Sequence, residues 1–414
     1  MFYVRKSLLC SGLPPLMHQA KILKTGIPAK KFALILFLVF NSLVWHTLAY
    51  ANLSNYVHGD LLILGEYYAG FTVAAILGAS LFRRSRETCL LLWALFGAAM
   101  TALLALIASN GSPINISISV LFGASSGVGF PSCLAYFADA TDTENRGTYG
   151  GITWSTVGFG ILALYLLTSG LNTAQAFQVL ALWRFLGFVG FFFLFRIQGK
   201  VALPVEVPSY HAILGRRDMV LYLLPWIMFC LVNFVEAPIV THLPSYPDLA
   251  GFAEFAITGF FAIVGGMLAD IVGRKRVIIT GFALLGVEYA VFGLFSTTPA
   301  IWYVYTAFDG AAWGMFAAVF FMTIWGDLAG NVQTEKYYLL GGLPYLLAVF
   351  LSEVMTPFLG VIQAVASFSL ASFFLFLAVL PLMYAPETLP EKKIRERELR
   401  GYLEKAKKVK EKYV

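Results

Sequence analysis

Twelve stretches of about 20 apolar residues, the length of helix that crosses a ~30 Å hydrocarbon core, recur along this chain of 414 residues. They fall near 32–51, 61–82, 89–108, 114–137, 148–169, 175–197, 219–241, 250–271, 277–296, 301–326, 338–360 and 365–385. Backbone polar groups find no water inside a bilayer, so runs this long satisfy their hydrogen bonds internally, as helices. The expected fold class is an all-α membrane protein with twelve transmembrane helices. Charged residues are only 13% of the chain, about half of what a soluble domain carries. The cysteines Cys10, Cys89, Cys133 and Cys230 show neither paired nor metal-binding spacing, and three of them lie in apolar segments. They read as small buried hydrophobes.

The basic residues set the topology. All Lys and Arg except Arg184 lie in the N-terminal segment, at the even-to-odd loops or in the C-terminal tail, while loops such as Ala51–Asp60, Ser109–Pro113 and Thr241–Leu249 carry none. By the positive-inside rule both termini are expected in the cytoplasm of a multi-pass cell-membrane protein. The net charge of +6 is thus a topology signal, and no nucleic-acid partner is expected. The first span follows a long segment containing Arg5, Lys6, Lys21, Lys24, Lys30 and Lys31, with no small-residue cleavage site, and reads as an uncleaved helix.

Inside this array the chain repeats itself. Gly266 to Arg276 reads G-M-L-A-D-I-V-G-R-K-R, and a worn copy, G-A-S-L-F-R-R-S-R-E, runs from Gly78 to Glu87. An offset of 188 residues relates Gly78 to Gly266, Asp139 to Asp327 and Glu66 to Glu254. One interval joining three features marks a duplicated membrane unit, the common design of alternating-access transporters. The expected organisation is a cytoplasmic segment 1–31, a six-helix bundle 32–198, a linker 199–218, a pseudo-symmetric six-helix bundle 219–385 and a basic cytoplasmic tail 386–414. The tail interleaves Lys and Arg with Glu from Glu391 to Lys412, a pattern suited to a solvated helix under an anionic leaflet.

Two six-helix halves joined by a short link resemble the major facilitator superfamily over about residues 32–385. The most specific element is the loop after span eight, where the family signature Gly-x-x-x-Asp-x-x-Gly-Arg is matched by Gly266, Asp270, Gly273 and Arg274, followed by Lys275 and Arg276. In the first-half copy Gly78 and Arg86 survive, but Phe82 stands for the Asp and Ser85 for the second Gly. The resemblance implies a conformational gate of Gly266, Asp270, Gly273, Arg274, Asp327, Asp139 and Arg86. In it Asp270 faces the start of span five near Thr148, Arg274 pairs with Asp327, and Arg86 pairs with Asp139. Each half-exposed contact of this kind contributes about 1 kcal/mol, enough to bias a two-state equilibrium several-fold. Lys275 and Arg276 read as topology determinants.

Glu66, Arg184, Glu236, Glu254, Glu288, Asp309 and Glu353 lie within spans, together with His46. A charge at mid-bilayer costs roughly 2.5–3.5 kcal/mol on insertion scales, so each needs a partner, water or a proton. Arg184 alone cannot neutralise six acids. The resemblance places spans one, two, four, five, seven, eight, ten and eleven around a central cavity. That makes Asp309, Glu236, Glu353, Glu66, Glu254 and His46 the candidate substrate or proton sites, and leaves Glu288 and Arg184 as structural. Glu66 and Glu254 read equally well as residues capping helix ends near the membrane surface.

Span four has Gly123 where many proton-coupled relatives carry Arg before a glycine, and Ile152–Leu164 has no proline of the drug-antiporter type. Pro386-Glu387-Thr388 resembles the end of span twelve in the sugar and organic-ion branch. No G-x-x-x-x-G-K-S/T sequence occurs, which excludes ATP-driven transport by this chain alone. No catalytic metal spacing is present and no cofactor is expected. The expected function is secondary active transport of a small solute, proton-coupled and more suited to a cation than an anion, by a monomer in contact with membrane lipid. The rival readings are a uniporter of a neutral solute such as a sugar, and a transporter-like sensor.

Overall fold

The computed structural model describes residues 28–81, 86–198, 206–241, 250–295, 298, 300–361 and 364–390, with 395, 396, 399 and 403. Phe82, Ser85, the segment 1–27, part of the linker and most of the basic tail lie outside the described residues. Among the described residues stand twelve helices of membrane-spanning length and hydropathy, and no strand. The first six are α1 Ala29–Tyr56, α2 Leu61–Leu81, α3 Arg86–Ser109, α4 Ile116–Ala140, α5 Arg146–Thr168 and α6 Thr173–Gln198. The second six are α7 Arg217–Thr241, α8 Ala250–Val272, α9 Arg274–Phe295, α10 Ile301–Ala329, α11 Glu335–Met355 and α12 Ala364–Tyr384. A short helix, Tyr210–Leu214, lies in the linker, with Ser209 accepting from the Ala212 N–H at its start.

Two of these rods are irregular for local reasons. α4 is divided at Val128–Gly129, and Pro131 enters the first turn of its second segment, where a missing N–H costs nothing. α10 widens into a π-helical stretch over Ala317–Ile324, where the Thr323 hydroxyl donates to the Ala318 carbonyl at 2.7 Å. This stretch presents Phe321 to Trp154 of α5, their rings stacked at 4.7 Å.

The two halves are built alike. α2 packs on α4 and α3 on α6, and six helices later α8 packs on α10 and α9 on α12. Between the halves α5 packs on α8 and α10, and α11 packs on α2 and α4, again related by the repeat. Lipid tails are as apolar as leucine, so membrane helices associate through close packing at small residues. The α5–α8 seam illustrates this: a Cβ at Gly266 would overlap the Gly147 carbonyl, and one at Gly151 the Ala262 carbonyl.

Candidate functional site

The basic face, where the even-to-odd loops lie, is tied across both seams by buried charges. At the α5–α8 seam the Asp270 carboxylate ends α8 and accepts from the Gly147 N–H at 3.0 Å, the Thr148 N–H at 2.7 Å and the Thr148 hydroxyl at 2.6 Å. These are the free donors of the α5 N-terminus, which carries the positive end of the helix dipole. Arg274 opens α9 four residues later and pairs with Asp270 at 2.9 Å and with Asp327 at 3.1 Å. It also donates to the Thr143 carbonyl of the other half. Asp327 further accepts from Arg146 of α5 at 2.5 Å. The Asp327 and Arg274 side chains are wholly buried.

The sharp turn from α8 into α9 is made by Gly273 at φ +105°, a backbone open to glycine alone at little cost. A Cβ there would strike the Glu387 carboxylate. Glu387 caps α9, accepting from the N–H groups of Arg274 at 2.8 Å and Lys275 at 3.2 Å. Thr388 donates to Asp327 at 3.1 Å. The Pro386-Glu387-Thr388 tripeptide therefore belongs physically to this ion network.

At the α2–α11 seam Arg86 pairs with Asp139 at 2.7 Å and donates from Nε to Glu335 of α11 at 2.8 Å, its Nη2 also meeting Glu335. Thr334 donates to Asp139 at 2.8 Å, and the Gln333 side chain to the Ala79 carbonyl at 2.7 Å. Arg146 and Glu335 are absent from the sequence-based gate. Their signal is positional: each stands in the first turn of a helix that faces one copy of the repeat.

Four of the intramembrane acids meet inside the second half. Glu236 (α7), Glu254 (α8), Glu288 (α9) and Asp309 (α10) lie between four and eight residues from the ends of their helices at the face opposite the basic one. At 1.5 Å per residue they share a layer about 6–12 Å deep. Glu254 and Asp309 face each other, their carboxyls in side-chain contact, and Glu288 lies within electrostatic range of the other three. Glu236, Glu288 and Asp309 are each at most 2% exposed. Both oxygens of Glu236 and Glu288, and Oδ1 of Asp309, have no well-formed hydrogen bond among the described residues. Tyr289 and Ser367 lie near Glu236, but the Tyr289 hydroxyl is directed to Asn233 at 3.4 Å.

Glu288, expected to be structural because α9 is peripheral, thus sits in the acidic layer. Counting residues from the helix end, rather than ranking helices by their distance from the cavity, places it level with Asp309.

The other candidates lie elsewhere. Glu353 of α11 accepts from the Ser54 hydroxyl at 3.2 Å and the Tyr50 hydroxyl at 3.4 Å, joining the halves at the face opposite the basic one. His46 meets the Tyr67 hydroxyl at 3.4 Å, with Phe71 and Phe130 around its ring. Glu66 is half-buried on α2 and does not join the layer formed by its repeat mate Glu254. Arg184 is fully buried in the first half, its guanidinium 4.6 Å from the Trp45 ring and 4.2 Å from that of Trp93. It donates to Asn41 at 3.0 Å and Ser42 at 2.7 Å. Cation–π contact and neutral acceptors stand where a carboxylate would.

No family model matches this chain, and no curated protein does. Solved structures do. The chain is similar to the human organic anion transporter MFSD10 (TETRAN), with TM-score 0.62 and 14% identity over 86% of this chain and 100% of that one. It is similar to the proton:xylose symporter XylE bound to 6-bromo-6-deoxy-D-glucose, with TM-score 0.63 and 14% identity over 86% and 96%. The E. coli fucose:proton symporter FucP matches with TM-score 0.63 and 12% identity over 86% and 98%. Two pseudo-symmetric six-helix bundles, meeting at the α5–α8 and α2–α11 seams, give this chain the fold of the major facilitator superfamily.

Proposed function

We propose that the chain is a secondary active transporter of a small solute, working by alternating access and coupled through the acidic layer of its second half. The observation that carries this reading is the meeting of Glu236, Glu254, Glu288 and Asp309 from four helices. No Lys or Arg lies within α7–α12 away from their basic ends. Neutrality of such a layer requires protons or a bound cation. Exchange between the two is a coupling device, and it favours a cationic over an anionic substrate. Glu254 of the layer stands on α8, which itself packs against α5 of the other half, so occupancy of the layer acts on a helix of the moving interface.

In this reading the basic face is cytoplasmic, in a cell membrane. Its ion network closes the inner side, and the contacts of Glu353 with Tyr50 and Ser54 form a lighter outer closure. A second reading, a sugar transporter, draws on the aromatic walls formed by Tyr50, Tyr67, Tyr68 and Phe350 near the interface. It draws also on the two sugar:proton symporters among the similar folds.

The test is proton movement in liposomes containing the purified chain and a pH-sensitive dye. Organic ammonium ions added outside should drive proton flux, and Asp309→Asn should abolish it in a folded protein. Flux unchanged in Asp309→Asn and Glu288→Gln, or elicited equally by neutral sugars, would sink the acidic-layer reading.

A further inference from the structure

A crevice of about 440 Å³ lies between α7 and α12, away from the interface of the two halves. Glu236, expected to line a central cavity, is on its wall, with Ser367 as its polar neighbour and Met228, Leu231, Leu370 and Phe374 among the apolar lining. Leu231, Leu370 and Phe374 are 46%, 57% and 38% exposed on the outside of the bundle, so the crevice opens towards lipid. From Met228 to Glu236 it follows eight residues of α7, about 12 Å. Its polar end is the end far from the basic face. Glu236 is 2% exposed and neither of its oxygens has a well-formed hydrogen bond.

An acyl chain filling this crevice would leave that carboxyl against hydrocarbon, which is costly. A ligand with a cationic head and an apolar tail satisfies both ends at once. Such a molecule already lies in a leaflet with its head outward and its tail inward, the orientation in which Glu236 and the apolar wall are arranged.

We propose that the α7–α12 crevice binds amphipathic organic ammonium ions taken from the leaflet opposite the basic face, the head against Glu236 and the tail along Met228, Leu231 and Phe374. The inference rests on the acidic-layer reading and narrows it, since Glu236 is the member of that layer on the crevice wall. It makes lipophilic amines the substrate class and the flank of the second half their entrance.

The experiment is equilibrium binding of tritiated decyltrimethylammonium to the full chain in lipid nanodiscs, with empty nanodiscs as background. Saturable binding to one site is expected. Glu236→Gln, which keeps the shape and removes the charge, should weaken it about tenfold or more. Leu370→Trp, which fills the rim from its exposed side, should do the same and should lower the proton flux driven by decyltrimethylammonium in step with the binding. Tetramethylammonium and decanol, each lacking one half of the ligand, should compete poorly.

Binding unaffected by both substitutions would overturn the proposal. Equal competition by tetramethylammonium would place the head site in water, and equal competition by decanol would mark an ordinary acyl-chain crevice; either overturns it. Retained decyltrimethylammonium binding in a chain that moves no protons would count against the transport reading alone.

Discussion

The two seams of the basic face solve one problem with the acid on opposite sides. At the α5–α8 seam the acid is Asp270, at the end of α8, and its partners are bare N–H groups at the start of α5. At the α2–α11 seam the repeat puts Phe82 where that acid belongs, and the carboxylate comes instead from Glu335 of α11, which meets Arg86. The 188-residue offset carries Gly147 onto Glu335, so acid and acceptor have changed places across the interface. Steric space accounts for the direction of the change. A Cβ at Gly147 would overlap the Asp270 carboxylate and the Gly266 carbonyl, so α5 cannot carry a side chain there and α8 must supply the acid. The α2–α11 seam admits a glutamate. What both halves keep is a buried anion tying the two bundles together, and its residue of origin is free to move.

The largest effect is expected at Asp327, where two guanidiniums and Thr388 converge on one wholly buried carboxylate. Asp327→Asn leaves Arg146 and Arg274 short of a counter-charge, and breaking a buried pair in this way costs about 3–5 kcal/mol. Thermal unfolding in nanodiscs should show the loss. Asp139→Asn, its repeat mate, should cost roughly half as much, because Arg86 retains Glu335. Equal losses would mean that the two seams share load and that the asymmetry described above is only geometric.

Much of this architecture is legible in the chain alone. Helix number and the division into halves follow from apolar run length and from one repeated interval. The contacts of Asp270 with Thr148, Arg274 with Asp327 and Arg86 with Asp139 are those that the resemblance carried by the motif implies. Helix starts are less legible, and for a definite reason. Span eleven, expected from 338, begins at Glu335, because Glu335 and Lys336 are polar residues buried in contacts and look like loop in a hydropathy pattern. Arg146 is hidden likewise at the start of α5, ahead of the expected 148. These two residues have no repeat mate of their own type, Thr334 and Gly147 standing at the related positions, so the interval that reveals other members of the ion network passes over them. The acidic layer is half legible: side-chain depth follows from position along each helix, but the α7–α12 crevice depends on how two helices diverge.

Smaller, and more selective, is the response of each seam to loss of its own acid. Asp270→Asn keeps an acceptor but removes the charge facing the α5 N-terminus and one of the two carboxylates on Arg274, a change of about 1–3 kcal/mol. Glu335→Gln removes one of two carboxylates from Arg86, for about 1–3 kcal/mol. Spin labels on the exposed Asp142 and Arg276 positions report the first seam, and labels on Ser80 and Asn331 the second. Asp270→Asn should broaden the first distance distribution and leave the second, and Glu335→Gln should do the reverse. Opening of both seams by either substitution would show one cooperative lock in place of two.

The smallest effect should be the most discriminating. Phe82→Asp gives the first-half copy the acid that the second-half copy carries at Asp270. In the wild-type background Arg86 already meets two carboxylates, so the change should fall within about 0.5 kcal/mol, as for a substitution that gains no new partner. In the Glu335→Gln background the guanidinium has lost one of them, and the 188-residue offset makes position 82 the sequence counterpart of Asp270. There it should return more than half of the Ser80–Asn331 distances to the closed population. The two substitutions are then non-additive, with the sign expected of residues that serve one partner. If the double variant instead opens as far as Glu335→Gln alone, Glu335 holds Arg86 for a reason of its own, and the exchange of acid across the interface is a coincidence of position.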